Sequence, residues 1–493
     1  MEKRFAAFIL ICLLVSAFFP ACGGEKPPSS EVDVQNTESE SPGDDAAETT
    51  EEGDKPDVMN ADYEKAIFNI LYPSWSLYNS YYFADENNGE AVNDAIYDRT
   101  IKLEEAMNID MTWITKGDIN TISTEVNKTV TSGMDSYQLA LTHCATDLVK
   151  YPKQGLVVNW LDVPGIDLQK SYWNQSIKDR MTISGVLPFC VNSFILPDVN
   201  SIFFNTLLND NYVHEDLYKL TLDGKWTWDK LAEYASVASL DIDGDSEFTE
   251  NDQYGFVAEL GWQFASVPVS CGQYIITADP EQGAVITINT EKTVNIIDKF
   301  KTMLYSGNSA FIWEYSHAYD PNIGGIPPID FNAGKALFYL VPLSLASNFR
   351  EMDTDFGILP LPKYDETQEN YETLNWSGFM IIPVTAGDLD MIGTVVENLG
   401  YLNDKIVLPA FYEILLGQKV SRNEESSQML DIIFDGSVYD LGVNLGLYTI
   451  TQTCCASKNA KDFASYYEKN IKSWTKTVND YTKACEEYAQ AAG

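Results

Sequence analysis

Twelve consecutive residues, DIDGDSEFTEND at 241–252, carry the densest metal-ligating pattern in the chain. Hard cations such as Ca2+ take roughly six to eight oxygen ligands, and a twelve-residue loop supplies them from alternate positions. Asp241, Asp243 and Asp245 fall at positions one, three and five, the Glu247 carbonyl at seven, Thr249 at nine through a water, and Asp252 at twelve. Position six, where the sharp turn wants glycine, is Ser246, and Asp252 is shorter than the usual bidentate Glu. The expectation is a bound cation, Ca2+; the competing reading is a solvated acidic turn.

A second chemistry is that of flat rings with polar rims, which stack on sugar faces and other apolar ligand surfaces. The stretch SWSLYNSYYFADENNG gathers Trp75, Tyr78, Tyr81, Tyr82 and Phe83, and His143 closes the run YQLALTH. The alternative is structural: rings folded over a core, and a lone histidine satisfied where it stands. Nucleophile and hydrolytic-metal signatures are missing. The chain has three histidines and no HExxH, GxSxG or GxxxxGK[ST] pattern. Acidic residues are abundant enough that a pair of carboxylates for glycan hydrolysis stays open.

These side chains need elements to position them. AIFNILYP at 66–73 reads as a strand, NDAIYDRTIKLEEAM puts Ile96, Thr100, Leu103 and Met107 on one helical face, and IDMTWIT at 109–115 alternates as a second strand. A helix near 119–131 and the strand ending at His143 continue the pattern. Such βαβ units build a parallel sheet with helices on its faces, and ligands sit beyond the carboxyl ends of the strands. The aromatic stretch and His143 both occupy that rim. Further on, WTWDKLAEYASVASL reads as a helix capped by Thr227, and QYGFVAEL as the strand after the acidic loop. That loop therefore lacks the paired helices of a calcium sensor. Near the end, Phe463, Tyr467, Ile471, Trp474, Val478, Tyr481, Cys485 and Tyr488 form a stripe on one long helix, expected to pack on the protein's own core.

Length and charge bound the class. A chain of 493 residues suggests two or more lobes, and a net charge of −41 argues against a nucleic-acid partner, whose phosphates need a basic face. Lys3 and Arg4 precede the apolar run FAAFILICLLVSAFF, which reads as a secretory signal over 1–21. FFPACGG resembles a bacterial lipobox, with Phe19 where Leu is usual, which implies that Cys22 carries the lipid anchor. The next segment, 22–61, is rich in Ser, Pro, Glu and Asp and reads as a disordered acidic tether. The remaining six cysteines have no zinc spacing and read as buried small hydrophobes, with one disulfide open.

The order of later segments is the most specific signal. SIFFNTLLNDN, GKWTWDKLAEYA, DQYGF, FNAGKALFYLVPLSLASNF, DTDFGILPLPKYDETQENY and SGFMIIPVT, in that succession, resemble the extracellular solute-binding proteins of bacterial ABC importers, the maltose-binding-protein group. The resemblance runs from about 62 to 490. It departs at Phe204, Asn205 and Thr206 and at Leu337 and Phe338. The implied fold is α/β: the two-lobed periplasmic-binding-protein-like type II fold with a hinge and an inter-lobe ligand cleft. The boundaries expected are 62–195 plus 330–362 for the first lobe and 196–329 plus 363–493 for the second, with a first crossing near 193–200. The implied function is capture of a solute, a carbohydrate or oligosaccharide, for delivery to importer permeases at the outer face of the membrane; a peptide receptor and an anchored glycan-degrading enzyme are the rivals. Trp262, Trp313 and Trp376 join Trp75, Tyr78, Tyr82 and His143 as candidate cleft residues.

Overall fold

The computed structural model describes residues 54–74, 81–146, 148–312, 329–349, 352–417 and 424–492, and residues 53–493 form one unit. The expected signal peptide and lipid-bearing Cys22 lie outside the described residues. The tether was expected to reach residue 61, but from Asp54 the chain is already bound to the folded unit. The Ser171 N–H donates to the Asp54 carboxylate at 2.7 Å, and Asn398 donates to the Val58 carbonyl at 2.8 Å. Composition marks where a segment is polar, not where a polar segment finds hydrogen-bond partners.

The first sheet follows the expected pattern. Strand β1 (Ala66–Tyr72), helix α1 (Ala91–Met107), strand β2 (Ile109–Thr115), helix α2 (Ile119–Ser132) and strand β3 (Leu139–His143) succeed one another, and β1 pairs in parallel with both β2 and β3. Helix α1 buries Ile96, Thr100, Leu103 and Met107, the face read from its spacing, together with Arg99. The Asp118 side chain caps α2 by accepting from the N–H groups of Asn120 and Thr121.

The second sheet begins with β4 (Asn200–Asn205). Helix α3 (Trp228–Ala238) follows, capped by Thr227, whose side chain accepts from the Lys230 N–H at 3.3 Å; it buries Trp228, Leu231, Ala235 and Ala238. Next come β5 (Tyr254–Ala258), helix α4 (Glu291–Tyr305), β6 (Ala310–Ile312), β7 (Ala336–Pro342) and β8 (Phe356–Leu359). Their order in the sheet is β8-β4-β7-β5-β6. Helix α3 lies hard against β5: a Cβ at Gly255 would sit 1.9 Å from the Ala235 carbonyl oxygen, so only glycine allows this approach.

Segment 330–362 was expected in the first lobe, yet β7 and β8 both belong to the second sheet. The chain returns instead through β9 (Gly378–Ile381), which pairs antiparallel with β3 at the edge of the first sheet. Every residue of β7 is buried, so alternation could not tell which sheet it joins; its neighbours β4 and β5, distant in sequence, decide that. The 363–493 segment is correspondingly divided between the lobes rather than confined to the second.

Between the sheets the backbone crosses more than once. Val199 pairs antiparallel with Asn375, the Trp376 N–H donates to the Asp198 carbonyl at 2.7 Å, and Thr373–Leu374 pairs in parallel with Ser437–Val438. The first crossing falls where expected, near 193–200. Helix α5 (Leu389–Leu402) packs on α1, and the final helix α6 (Phe463–Ala492) buries Phe463, Trp474, Val478, Tyr481 and Cys485 against the protein's own core. The six cysteines among the described residues are buried free thiols.

Candidate functional site

Trp262 and Trp376, expected to face a cleft, are brought together. Trp376 follows the crossing segment, and its ring stacks on that of Trp262 with centroids 5.1 Å apart and planes 20° from parallel. Tyr448 meets Trp376 edge-on at 5.1 Å. Trp262 opens a short turn, Trp262–Ala265, just beyond the carboxyl end of β5. The segments are tied by Gln452, whose side chain donates to the Leu260 carbonyl at 2.9 Å. Trp376 is only 6% exposed, whereas Trp262 and Tyr448 keep part of their surfaces open. The result is a three-ring platform with one anchored ring and two accessible ones.

Asp198 stands on the crossing beside this platform, and the sequence reading did not single it out. It is buried, and Ser344 donates to its carboxylate at 3.5 Å. Burial first, and then the Asp198 charge, raise the pKa values of the Tyr81 and Tyr82 hydroxyls and of the Cys144 thiol. Its charge therefore reaches the rim of the first sheet, while its backbone carbonyl accepts from Trp376. LPDVN has neither periodicity nor motif to mark it; only its place on the crossing could have. Tyr448 was equally missed, because its neighbours in sequence form no regular pattern.

Tyr82 and His143 are wired differently from the platform. The Tyr82 ring is 4% exposed, packs against Tyr72 and Phe194, and its hydroxyl approaches Gly378, where a Cβ would also lie 2.5 Å from the Thr142 carbonyl oxygen. His143 is 3% exposed and its Nδ1 accepts from the Ala145 N–H at 3.1 Å, which puts the neutral-ring proton on Nε2. Burial pushes its pKa down to about 4, so the ring is uncharged near neutrality. Trp75, Tyr78 and Trp313 lie outside the described residues.

In the acidic loop, carboxylate oxygens of Asp241, Asp243 and Asp252 come within 4.8 Å of one another. Asp245 is not part of that group: its side chain accepts from the Glu247 N–H at 2.7 Å. Thr249 likewise turns its hydroxyl to the Asn251 N–H, at 3.2 Å. Asp252 is buried and accepts from the N–H groups of Ile242 at 2.9 Å and Thr249 at 2.8 Å. Desolvation opposes its charge, but N–H donation from Thr249, Ile242 and Asp243 holds its pKa below the usual value. For Asp243 the Asp245 N–H pulls the pKa down, yet desolvation and the charges of Asp245, Asp252 and Asp241 leave it raised. Such mutual repulsion is what a divalent cation relieves. Ser246 adopts φ +69°, the left-handed turn that position six of a calcium loop requires. Leu240 and Gln253 exchange backbone hydrogen bonds of 2.9 and 3.0 Å across the base of the loop, which joins α3 to β5.

A cavity of about 490 Å3 opens beside the crossing segments, lined by Asn192, Pro197, Asn375, Tyr412, Asp404 and Asp435 among others. None of Trp262, Trp376, Tyr448 or Asp198 lines it.

The fold is shared with solved structures. The chain matches M. tuberculosis UspC at 13% identity, with 86% of this chain and 100% of that one covered and a TM-score of 0.54. A cyclo/maltodextrin-binding protein complexed with maltotetraose matches at 13% identity, 87% and 98% coverage and a TM-score of 0.51. A family 1 extracellular solute-binding protein from Bifidobacterium longum subsp. infantis matches at 14% identity, 87% and 99% coverage and a TM-score of 0.50. No family model matches the sequence, and no curated protein matches it. At these identities the likeness carries the fold: the two-lobed α/β architecture of extracellular solute-binding proteins.

Proposed function

We propose that this chain is a solute-binding protein that holds a carbohydrate between its lobes and delivers it to an ABC importer. The observation that carries the reading is the platform of Trp262, Trp376 and Tyr448, set where the crossing meets the strand ends and tied to it by the Trp376 N–H on the Asp198 carbonyl. Sugar rings offer apolar C–H faces to aromatic rings, and a chain of net charge −41 repels anions, so this platform suits a neutral polyol. In the present state Trp262 covers a face of Trp376. A sugar stacking on Trp376 there would displace the Trp262 ring, and the two rings would then hold it between them. The solved structure with maltotetraose bound in a similar fold supports an oligosaccharide. Closure of the lobes would desolvate the hydroxyl contacts, with the crossings absorbing the dihedral change.

The role is binding rather than catalysis, and Cys22 would anchor the chain at the outer face of the membrane. The acidic loop would hold one Ca2+ through Asp241, Asp243 and Asp252, with Asp245, Glu247 and Thr249 swinging in, as a staple between α3 and β5.

Thermal shift with a panel of oligosaccharides and peptides tests the main reading. Stabilisation by glycans that is lost in Trp376→Ala is expected; stabilisation by peptides alone, or glycan turnover by the purified chain, would overturn it. Survival of binding in Trp376→Ala and its loss on blocking the cavity beside Asn375 would move the site there. For the loop, a chelator is expected to lower the melting temperature by several degrees while glycan affinity holds. An unchanged melting temperature would remove the cation.

A further inference from the structure

Arg99 is the most anomalous charge among the described residues. Its side chain is fully buried on α1, yet among the described residues no carboxylate pairs with it and its Nε finds no partner. Burial lowers its pKa to about 9, which still leaves it cationic at neutral pH. An unpaired buried cation is costly, and an apolar side chain of similar volume would avoid that cost. What the guanidinium does have is four separate chain segments around it. One terminal nitrogen donates to the Tyr82 carbonyl at 2.8 Å, and the other to the Asn403 side-chain oxygen at 3.0 Å. Its planar end lies 5.2 Å from the centre of the Phe194 ring and 5.9 Å from that of Trp113. The Asn403 amide then donates to the Ser193 carbonyl, at 2.6 Å, where the first crossing begins.

We propose that Arg99 is a positioning residue: with Asn403 it pins the segment at 81–84 to the start of the first crossing, so that the two shift as one body when the lobes move. The fork geometry of a guanidinium suits this, because it presents donors in two fixed directions at once. Phe194 supplies the second tie, packing against both Tyr82 and the guanidinium. The pinned segment carries Tyr81 and Tyr82, whose hydroxyls burial first and then the Asp198 charge push up in pKa. The pin's bearing on ligand affinity rests on the binding-protein reading; the mechanical link does not.

The test is hydrogen exchange on the intact ligand-free protein carrying Arg99→Met, and separately Asn403→Ala, with thermal unfolding of each. Arg99→Met keeps the volume and removes the charge, so the melting temperature is expected to stay within a few degrees. Exchange in peptides covering 81–86 and 191–199 is expected to quicken at least tenfold in both variants, while β4 and α3 keep wild-type rates. Asn403→Ala is the decisive arm, since it cuts the pin at the crossing and is still expected to loosen 81–86. Quickening confined to the segment nearest each substitution would overturn the proposal, as would quickening spread evenly over the protein in step with a lower melting temperature. A glycan titration adds the functional readout, an affinity about tenfold weaker in both variants. Absence of any glycan binding by wild type would sink the functional reading and leave the exchange result to decide the pin.

Discussion

The acidic loop at 241–252 and the aromatic platform each gather side chains of one chemical kind, and they do so by opposite means. In the loop, Asp241, Asp243 and Asp252 are aimed by N–H groups of the loop itself, and the base is closed by the Leu240 and Gln253 backbone. On the platform, Trp262, Trp376 and Tyr448 come from the end of β5, the crossing and the C-terminal region, and nothing local holds them together. The loop therefore keeps its geometry whatever the lobes do. The platform exists only in the tertiary structure, so any change in how the lobes meet changes it. That contrast suits a structural staple on one side and a ligand sensor on the other.

The sharpest way to break the comparison is to remove the rings one at a time. Trp376 is 6% exposed and touches both partners, so Trp376→Ala should cost about 3–5 kcal/mol in stability, the range for deleting a buried aromatic. Trp262 is partly open, and Trp262→Ala should cost on the order of 1–2 kcal/mol. Glycan affinity should fall in both by at least a factor of about 100, equivalent to ~2.7 kcal/mol. Urea unfolding and calorimetric titration read the two quantities separately. Equal stability losses with unchanged affinity would make the platform ordinary core.

The same contrast explains what could be read from the chain beforehand. The helix at 228–238, its Thr227 cap and the βαβ start at β1 follow from local spacing and capping, and all formed as read. The loop was legible for the same reason: of its four proposed side-chain carboxylates, Asp241, Asp243 and Asp252 converge and Asp245 does not, while Ser246, a departure from the usual glycine, still takes the left-handed turn. Assignment of β7 and β8 to the first lobe failed because a strand buried on both faces carries no mark of its partners. Trp262 and Trp376 were named by analogy of segment order, but their contact with each other and with Tyr448 is written in no local pattern. Asp198 and Arg99 were missed for a related reason. Their importance lies in what surrounds them, and a single Asp or a helical Arg looks like surface.

His143 sharpens the comparison from within the cleft region, because it stands at the rim yet is wired locally like the loop. Its folded pKa of about 4 lies below the ordinary histidine value of 6.5, so the unfolded chain binds the proton first as pH falls. The stabilising contribution is complete above pH 6.5 and is lost as pH drops towards 4. The size is about 3 kcal/mol, from the pKa difference for a buried group. His143→Gln cannot take up that proton in either state. The stability gap between wild type and variant, from urea midpoints at successive pH values, should therefore shift against wild type by about 3 kcal/mol between pH 7 and 4. A gap that stays constant would mean the ring titrates alike in the folded and unfolded chain, as an exposed histidine does. Glycan affinity should show no histidine-like titration step of its own over the same range.

The smallest effect lies in the loop and tests whether its backbone is the whole of its design. Ser246 holds φ +69°, a left-handed conformation that costs a non-glycine residue roughly 1–2 kcal/mol. Ser246→Gly removes that strain, but glycine also loses more chain entropy on folding, by roughly 0.5–1 kcal/mol. The two terms leave a net gain of about 0.5 kcal/mol, still present in a chelator because the strain is in the backbone and not in the ligands. Nothing on the platform should respond, since the loop's ends are closed by Leu240 and Gln253 before the chain reaches β5. A rise in melting temperature with chelator and without, at constant glycan affinity, is the expected outcome. If instead Ser246→Gly stabilised only with Ca2+ present, the apo loop would be relaxed and the left-handed turn would be imposed by the ion. If it altered glycan affinity, the two regions would be coupled and the contrast between staple and sensor would fail.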